Sequence, residues 1–143
     1  MRKFLEKKGV LACKDYFPDE PKEQHVKIFR DHGAIGPDPN VPHVSLRQTF
    51  NGKWNKEIVD ILTAAFISAV KQGTYKPVQH TWPQMKEARV RKKCQSKLYC
   101  TQCICWTCRE HPHLELDKVN QMHQRWQEVC LLCCHITRIA NVL

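Results

Sequence analysis

Residues 84–110 read QMKEARVRKKCQSKLYCTQCICWTCRE, a run without a single Gly, Pro, Asn or Asp. An unbroken run of this length reads as a helix, and the periodicity of its apolar residues agrees. At about 100° per residue, Val90, Cys94, Leu98, Thr101, Cys105 and Cys108 share one side. Lys86, Arg89, Lys93 and Lys97 form a stripe about a quarter turn away. Met85, Ala88, Tyr99, Cys103 and Trp106 make a third, apolar side roughly opposite the charge. The helical spacing of Tyr99 and Trp106 favours core packing over stacking on bases. Thr81-x-x-Gln84 reads as a capping box, with Pro83 in the first turn where its missing N–H costs nothing. Pro112 stops the helix, because the residue before a proline avoids helical geometry.

The pattern resumes near Leu114. Val119, Met122, Trp126, Val129, Cys133, Ile136 and Ala140 follow alternating steps of three and four, a coiled-coil-like seam. The C-terminal half therefore reads as a helical hairpin, 82–111 and 114–140, turning at His111-Pro112-His113. Upstream, Trp54, Ile58, Ile61, Leu62, Ala65, Phe66, Ala69 and Val70 recur at helical spacing. They predict a core helix over 55–72, capped by Asn51 or Asn55 and ended by Gly73. The first third is weaker in pattern. A short charged helix precedes a loop at Pro18, and Pro21 opens a second helix through about Asp31, closed by Gly33. Gly33, Gly36, Pro37, Pro39 and Pro42 make 33–42 a loop. Val44, Leu46 and Phe50 alternate with polar residues, which predicts a short strand. The expected fold is mainly α: a core helix packed on a C-terminal helical hairpin, with an irregular N-terminal third. The corresponding division is an arm over 1–50 and a helical, Cys-rich domain over 51–143.

The net charge is +9, and residues 81–111 hold 7 basic against 2 acidic side chains, so +5 of it sits around the first arm of the hairpin. A basic helix suits an anionic partner, either nucleic acid or an acidic protein surface. Lys86, Arg89, Arg91, Lys92, Lys93 and Lys97 are the candidate nucleic-acid-binding residues; a merely solvated basic face is the plain alternative. Arg89 to Lys93 also fits a nuclear-import patch. No glycine-rich phosphate loop, nucleophile elbow or His-Glu metalloprotease motif is present, so an enzyme is not expected. No apolar run approaches a membrane span, and Glu6-Lys7-Lys8 interrupts the only start that resembles a signal peptide.

Eight of the nine cysteines lie between Cys94 and Cys134. An odd count with no leader pattern points to a reducing compartment, nucleus or cytoplasm, with thiols free or metal-bound. Thiolates and imidazoles are zinc's preferred ligands. That makes Cys100, Cys103, Cys105, Cys108, His111, Cys130, Cys133 and His135 candidate zinc ligands, enough for two tetrahedral ions. The competing reading treats the cysteines as compact buried apolar residues on helices. Cys-Thr-Gln-Cys, Cys-Trp-Thr-Cys and Cys-Leu-Leu-Cys lack the turn residues of zinc knuckles, and Cys133 already belongs to the seam. The two readings part on whether Cys100/Cys103 and Cys130/Cys133 converge to within about 4 Å across the hairpin. The functional expectation is a non-catalytic nucleic-acid-binding or regulatory module, stabilised by zinc if those sulfurs meet. The rival is a helical interaction module with buried free thiols, its 119–140 seam facing another chain or a second copy.

Overall fold

Helix α3, Lys53–Lys71, is the element around which the rest is arranged. Its apolar residues return every three or four positions, which gathers Trp54, Ile58, Val59, Leu62, Phe66 and Val70 on one buried side. The helix ends at Gln72, and Gly73 follows with φ of 75°, a left-handed conformation that glycine adopts without strain. In this computed structural model the described residues are 1–11, 18–75, 86–115, 117–119, 121–122 and 124. Among them the protein is mainly α, with no strand.

Three further helices pack with α3. Helix α1, Arg2–Lys7, buries Phe4 and Leu5. Phe4 meets Phe66 edge-on at 5.3 Å and Tyr75 at 5.9 Å. Helix α2, Glu23–His32, buries Val26 and sets Phe29 edge-on to Trp54 at 5.7 Å. It closes at Gly33, whose φ of 68° makes the left-handed cap that the sequence placed there. Helix α4, Glu87–Glu110, is the first arm of the predicted hairpin and lies along α3. Cys94 faces Thr63 in its middle, and Gln102 reaches the same Ser45 carbonyl as Asn55, so the two helices run antiparallel.

The chain turns at His111 to Glu115 and is helical again at 117–119, 121–122 and 124, where Val119 is fully buried. The remainder of the second arm, and with it most of the heptad seam, lies outside the described residues. So does the capping box at Thr81 to Gln84. One hydrophobic core joins the arm to the helical part: Phe4, Leu5, Val10, Leu11, Val26, Val44 and Leu46 cluster with α3 and with Val90, Cys94, Leu98 and Cys105 of α4.

Two local expectations are corrected. Neither Asn51 nor Asn55 caps α3; Gly52 occupies the N-cap in extended geometry, without a side-chain bond. Asn55 lies inside the helix, 1% exposed, and its amide binds both backbone groups of Ser45: Ser45 N–H donates to Oδ1, and Nδ2 donates to Ser45 C=O, each at 2.9 Å. That pairing also explains why Val44 to Phe50 is not a strand. The backbone groups a strand would offer its neighbour are satisfied by a side chain, and Val44, Ser45 and Leu46 are buried in succession rather than alternately.

The Trp54 Nε1–H donates to the His43 carbonyl at 2.9 Å, and Gln102 Nε2 donates to the Gln48 carbonyl at 2.6 Å. Loop 43–48 is therefore fastened to both long helices. Replacing Asn55 with Ala strands the Ser45 N–H in the core. It should lower the urea-unfolding free energy by about 2–4 kcal/mol, whereas Gln102→Ala, at a part-buried site, should cost about 1 kcal/mol. The Thr63 hydroxyl has no regular hydrogen-bond partner, so Thr63→Val should leave stability unchanged or raise it by up to about 1 kcal/mol in the same titration.

Candidate functional site on helix α4

Helix α4 has three different sides. Towards α3 it presents Val90, Cys94, Leu98, Thr101 and Cys105, all buried, as its spacing predicted. Cys94 and Cys105 act there as small apolar residues. Burial pushes the Cys94 thiol up to about 12, against a smaller downward pull from Thr63. Burial likewise pushes Cys105 up to about 11, with the Arg109 guanidinium opposing it. Cys108 is half-buried at the edge of this side, its pKa also raised by burial.

Cys100 and Cys103 lie off the core side and are half-buried, and His111 is exposed beside His113, ring centroids 5.8 Å apart. Among the described residues no three His, Cys, Asp or Glu side chains come together as a metal site. Cys130, Cys133 and His135 lie outside the described residues, as does the meeting of cysteine pairs across the hairpin. Of the candidate ligands among the described residues, Cys105 is the one placed in the core, 1% exposed.

The second side is basic. Lys86, Arg89, Lys93 and Lys97 lie along it, and Lys92 stands round towards the third side; all five are exposed, and none has an acidic partner among the described residues. Arg91 differs from them. Its guanidinium contacts the Asp60 carboxylate of α3 at 2.5 Å and Glu87 at 3.6 Å, so its charge is engaged within the fold. Lys93 lies near the amino group of Met1, whose pKa is lowered first by partial burial and then by that lysine; the start of α1 thus adjoins the stripe.

The third side corrects an expectation. Tyr99 and Trp106 are not packed in the core: they are 45% and 60% exposed. With Cys103 they form one wall of a pocket of about 560 Å³, whose other walls are Leu46 to Phe50 and Met122. Phe50 stands edge-on to Tyr99, centroids 5.6 Å apart. Gln102 holds the two walls together through its bond to Gln48. The sequence showed the apolar side of α4 but not its opposing wall. That wall arrives through contacts more than fifty residues apart, which no local pattern reports. A second cleft, of about 410 Å³ between α2 and Arg47, is lined by Glu20, Glu23, Lys27 and Arg30. Glu20 pairs there with both Arg47 and Arg109.

No described helix is long and apolar enough to cross a membrane. The buried thiols give a test by reactivity. In a short iodoacetamide pulse near pH 8, mass mapping should find Cys100 and Cys103 labelled and Cys94 and Cys105 protected until the chain is unfolded. The same shifts set a pH dependence. Both thiols have folded pKa values above the reference value of 9.0, so the stabilisation is complete below pH 9 and is lost as pH rises towards 11 and 12. Cys94→Ala and Cys105→Ala should each flatten that alkaline loss in urea titrations. Compared with known proteins, the chain matches no family model, no curated protein and no solved structure.

Proposed function

We propose that the protein is a non-catalytic nucleic-acid-binding module that lays the basic side of α4 along a phosphate backbone. One observation carries the reading: Lys86, Arg89, Lys92, Lys93 and Lys97 are exposed on one helix, free of acidic partners among the described residues. Between Glu87 and Glu110 α4 contains no acidic residue at all. From Lys86 to Lys97 the helix advances about 16 Å, at about 1.5 Å per residue. Duplex DNA presents one phosphate per strand about every 3.4 Å, so several lie within reach of that length. A rigid helix fastened to the core on the neighbouring flank holds those cations in register without ordering a loop first, which limits the entropy lost on binding.

Arg91 has a secondary part in this reading, since Asp60 and Glu87 already oppose its charge. Cys94 and Cys105 fix α4 in the core as apolar residues, whatever the other thiols hold.

The test is charge reversal at Lys86, Arg89, Lys93 and Lys97 together, read by fluorescence anisotropy with a labelled duplex across a salt series. The wild type should bind with a strongly negative slope of log affinity against log salt. The variant should lose at least about tenfold in affinity, and its slope should become less negative by about 0.9 for each phosphate contact removed. Unchanged affinity and slope would discard the stripe and leave an acidic protein surface as its partner. The four residues are exposed, so far-ultraviolet circular dichroism should show the same helicity in both proteins.

A further inference from the structure

We propose that the pocket between α4 and the loop Leu46 to Phe50 holds unpaired bases of single-stranded nucleic acid, with Tyr99 and Trp106 as stacking platforms. The proposal rests on the nucleic-acid reading above and adds the form of nucleic acid the protein takes. Lys92, Tyr99 and Trp106 are seven residues apart in turn. Seven residues fall about 20° short of two full turns, so the three stand on one side of α4 at intervals of about 10 Å. All three are exposed. A cation thus leads directly onto two aromatic faces.

The pocket that Tyr99 and Trp106 line has a volume of about 560 Å³, within the usual range for ligand sites. Its lining is chiefly apolar, with Phe50 and Met122 beside the two platforms and the amide and hydroxyl groups of Gln48 and Thr49 opposite. Arg47 is the lining's one charged residue, and no carboxylate faces the pocket among the described residues.

That combination favours a nucleic acid strand over an apolar peptide. Bases stack on aromatic rings whatever their identity, and neighbouring cations follow the backbone. An apolar peptide would gain nothing from Lys92 or from the absence of acidic residues along α4. Duplex bases are already stacked on each other and cannot enter, so the pocket distinguishes single strands from duplex, which the basic stripe alone does not. The platform is also preorganised. Gln102 ties the loop wall to α4, and Phe50 supports Tyr99 from the side, so the cleft exists before a strand arrives.

The experiment compares the wild-type chain with Tyr99→Ala/Trp106→Ala and Tyr99→Phe/Trp106→Phe. The probes are short ribo- and deoxyribo-oligonucleotides carrying one fluorescent adenine analogue, and a duplex of the same length. The wild type should quench the analogue in the single strands, as stacking does. The alanine pair should lose at least about thirtyfold in single-strand affinity, together with the quenching, while its duplex affinity changes less than about threefold. The phenylalanine pair keeps the rings and should retain both affinity and quenching. An alanine pair that binds and quenches as the wild type does overturns the proposal and leaves the pocket to an apolar peptide. Equal losses on single strand and duplex, or a phenylalanine pair as weak as the alanine pair, overturn it too. The two readings fail separately. Charge reversal of Lys86, Arg89, Lys93 and Lys97 with no effect removes the stripe but not the pocket, whereas silent aromatic substitutions remove the pocket but not the stripe.

Discussion

The amide of Asn55 bound to both backbone groups of Ser45 is the constraint on which the arrangement depends. It stands inside α3, nearly sealed from water, and supplies the hydrogen bonds that a neighbouring strand would otherwise make. An asparagine there is costly unless every polar atom is matched, and the match forces one position for the loop. With Ser45 fixed, Val44 and Leu46 enter the core, His43 meets the Trp54 indole, and Gln48 comes within reach of Gln102. A polar residue in an apolar helix thus sets the path of a segment that has no regular structure of its own.

Around that clamp the forces are ordinary ones. Leu5, Ile58, Leu62 and Leu98 are fully buried, each worth about 1.5–3 kcal/mol relative to exposure, and aromatic edges lock α1 and α2 onto α3. The ion pairs contribute less. Arg91 with Asp60, and Arg109 and Arg47 with Glu20, have arginines 45–71% exposed, where such pairs contribute at most about 1 kcal/mol. Their effect is on charge rather than stability, because they decide which of the basic side chains remain open to a partner.

The helices were legible in the sequence because their determinants are local. Spacing alone placed Val90, Cys94, Leu98, Thr101 and Cys105 on the buried side of α4, and Gly33 and Gly73 ended α2 and α3 as their backbone freedom predicts. What the sequence misled about was polar or distant. Asn55 has the composition of a cap and is a core residue, since nothing local reveals that Ser45 will meet it. Val44 to Phe50 alternates like a strand and has no strand to pair with among the described residues. Tyr99 and Trp106 look like core residues by spacing, and only the opposing loop makes them walls of a pocket. The cysteine spacing left packing and metal binding open; burial places Cys94 and Cys105 in the core.

Helix α4 leaves little room for neutral drift. One flank is bound by volume, since a larger or smaller residue at Val90, Cys94 or Leu98 disturbs contacts with α3. On the nucleic-acid reading proposed above, another is bound by charge and a third by ring shape, while Gln102 and Arg91 are occupied in bonds of their own. That leaves positions such as Ala88, Gln95 and Ser96 to vary. Sequences descended from a common ancestor with this chain should therefore diverge fastest on the outer faces of α1 and α2. In α4 they should keep a three-part pattern of small apolar, basic and aromatic residues, even where overall identity has become too low to align.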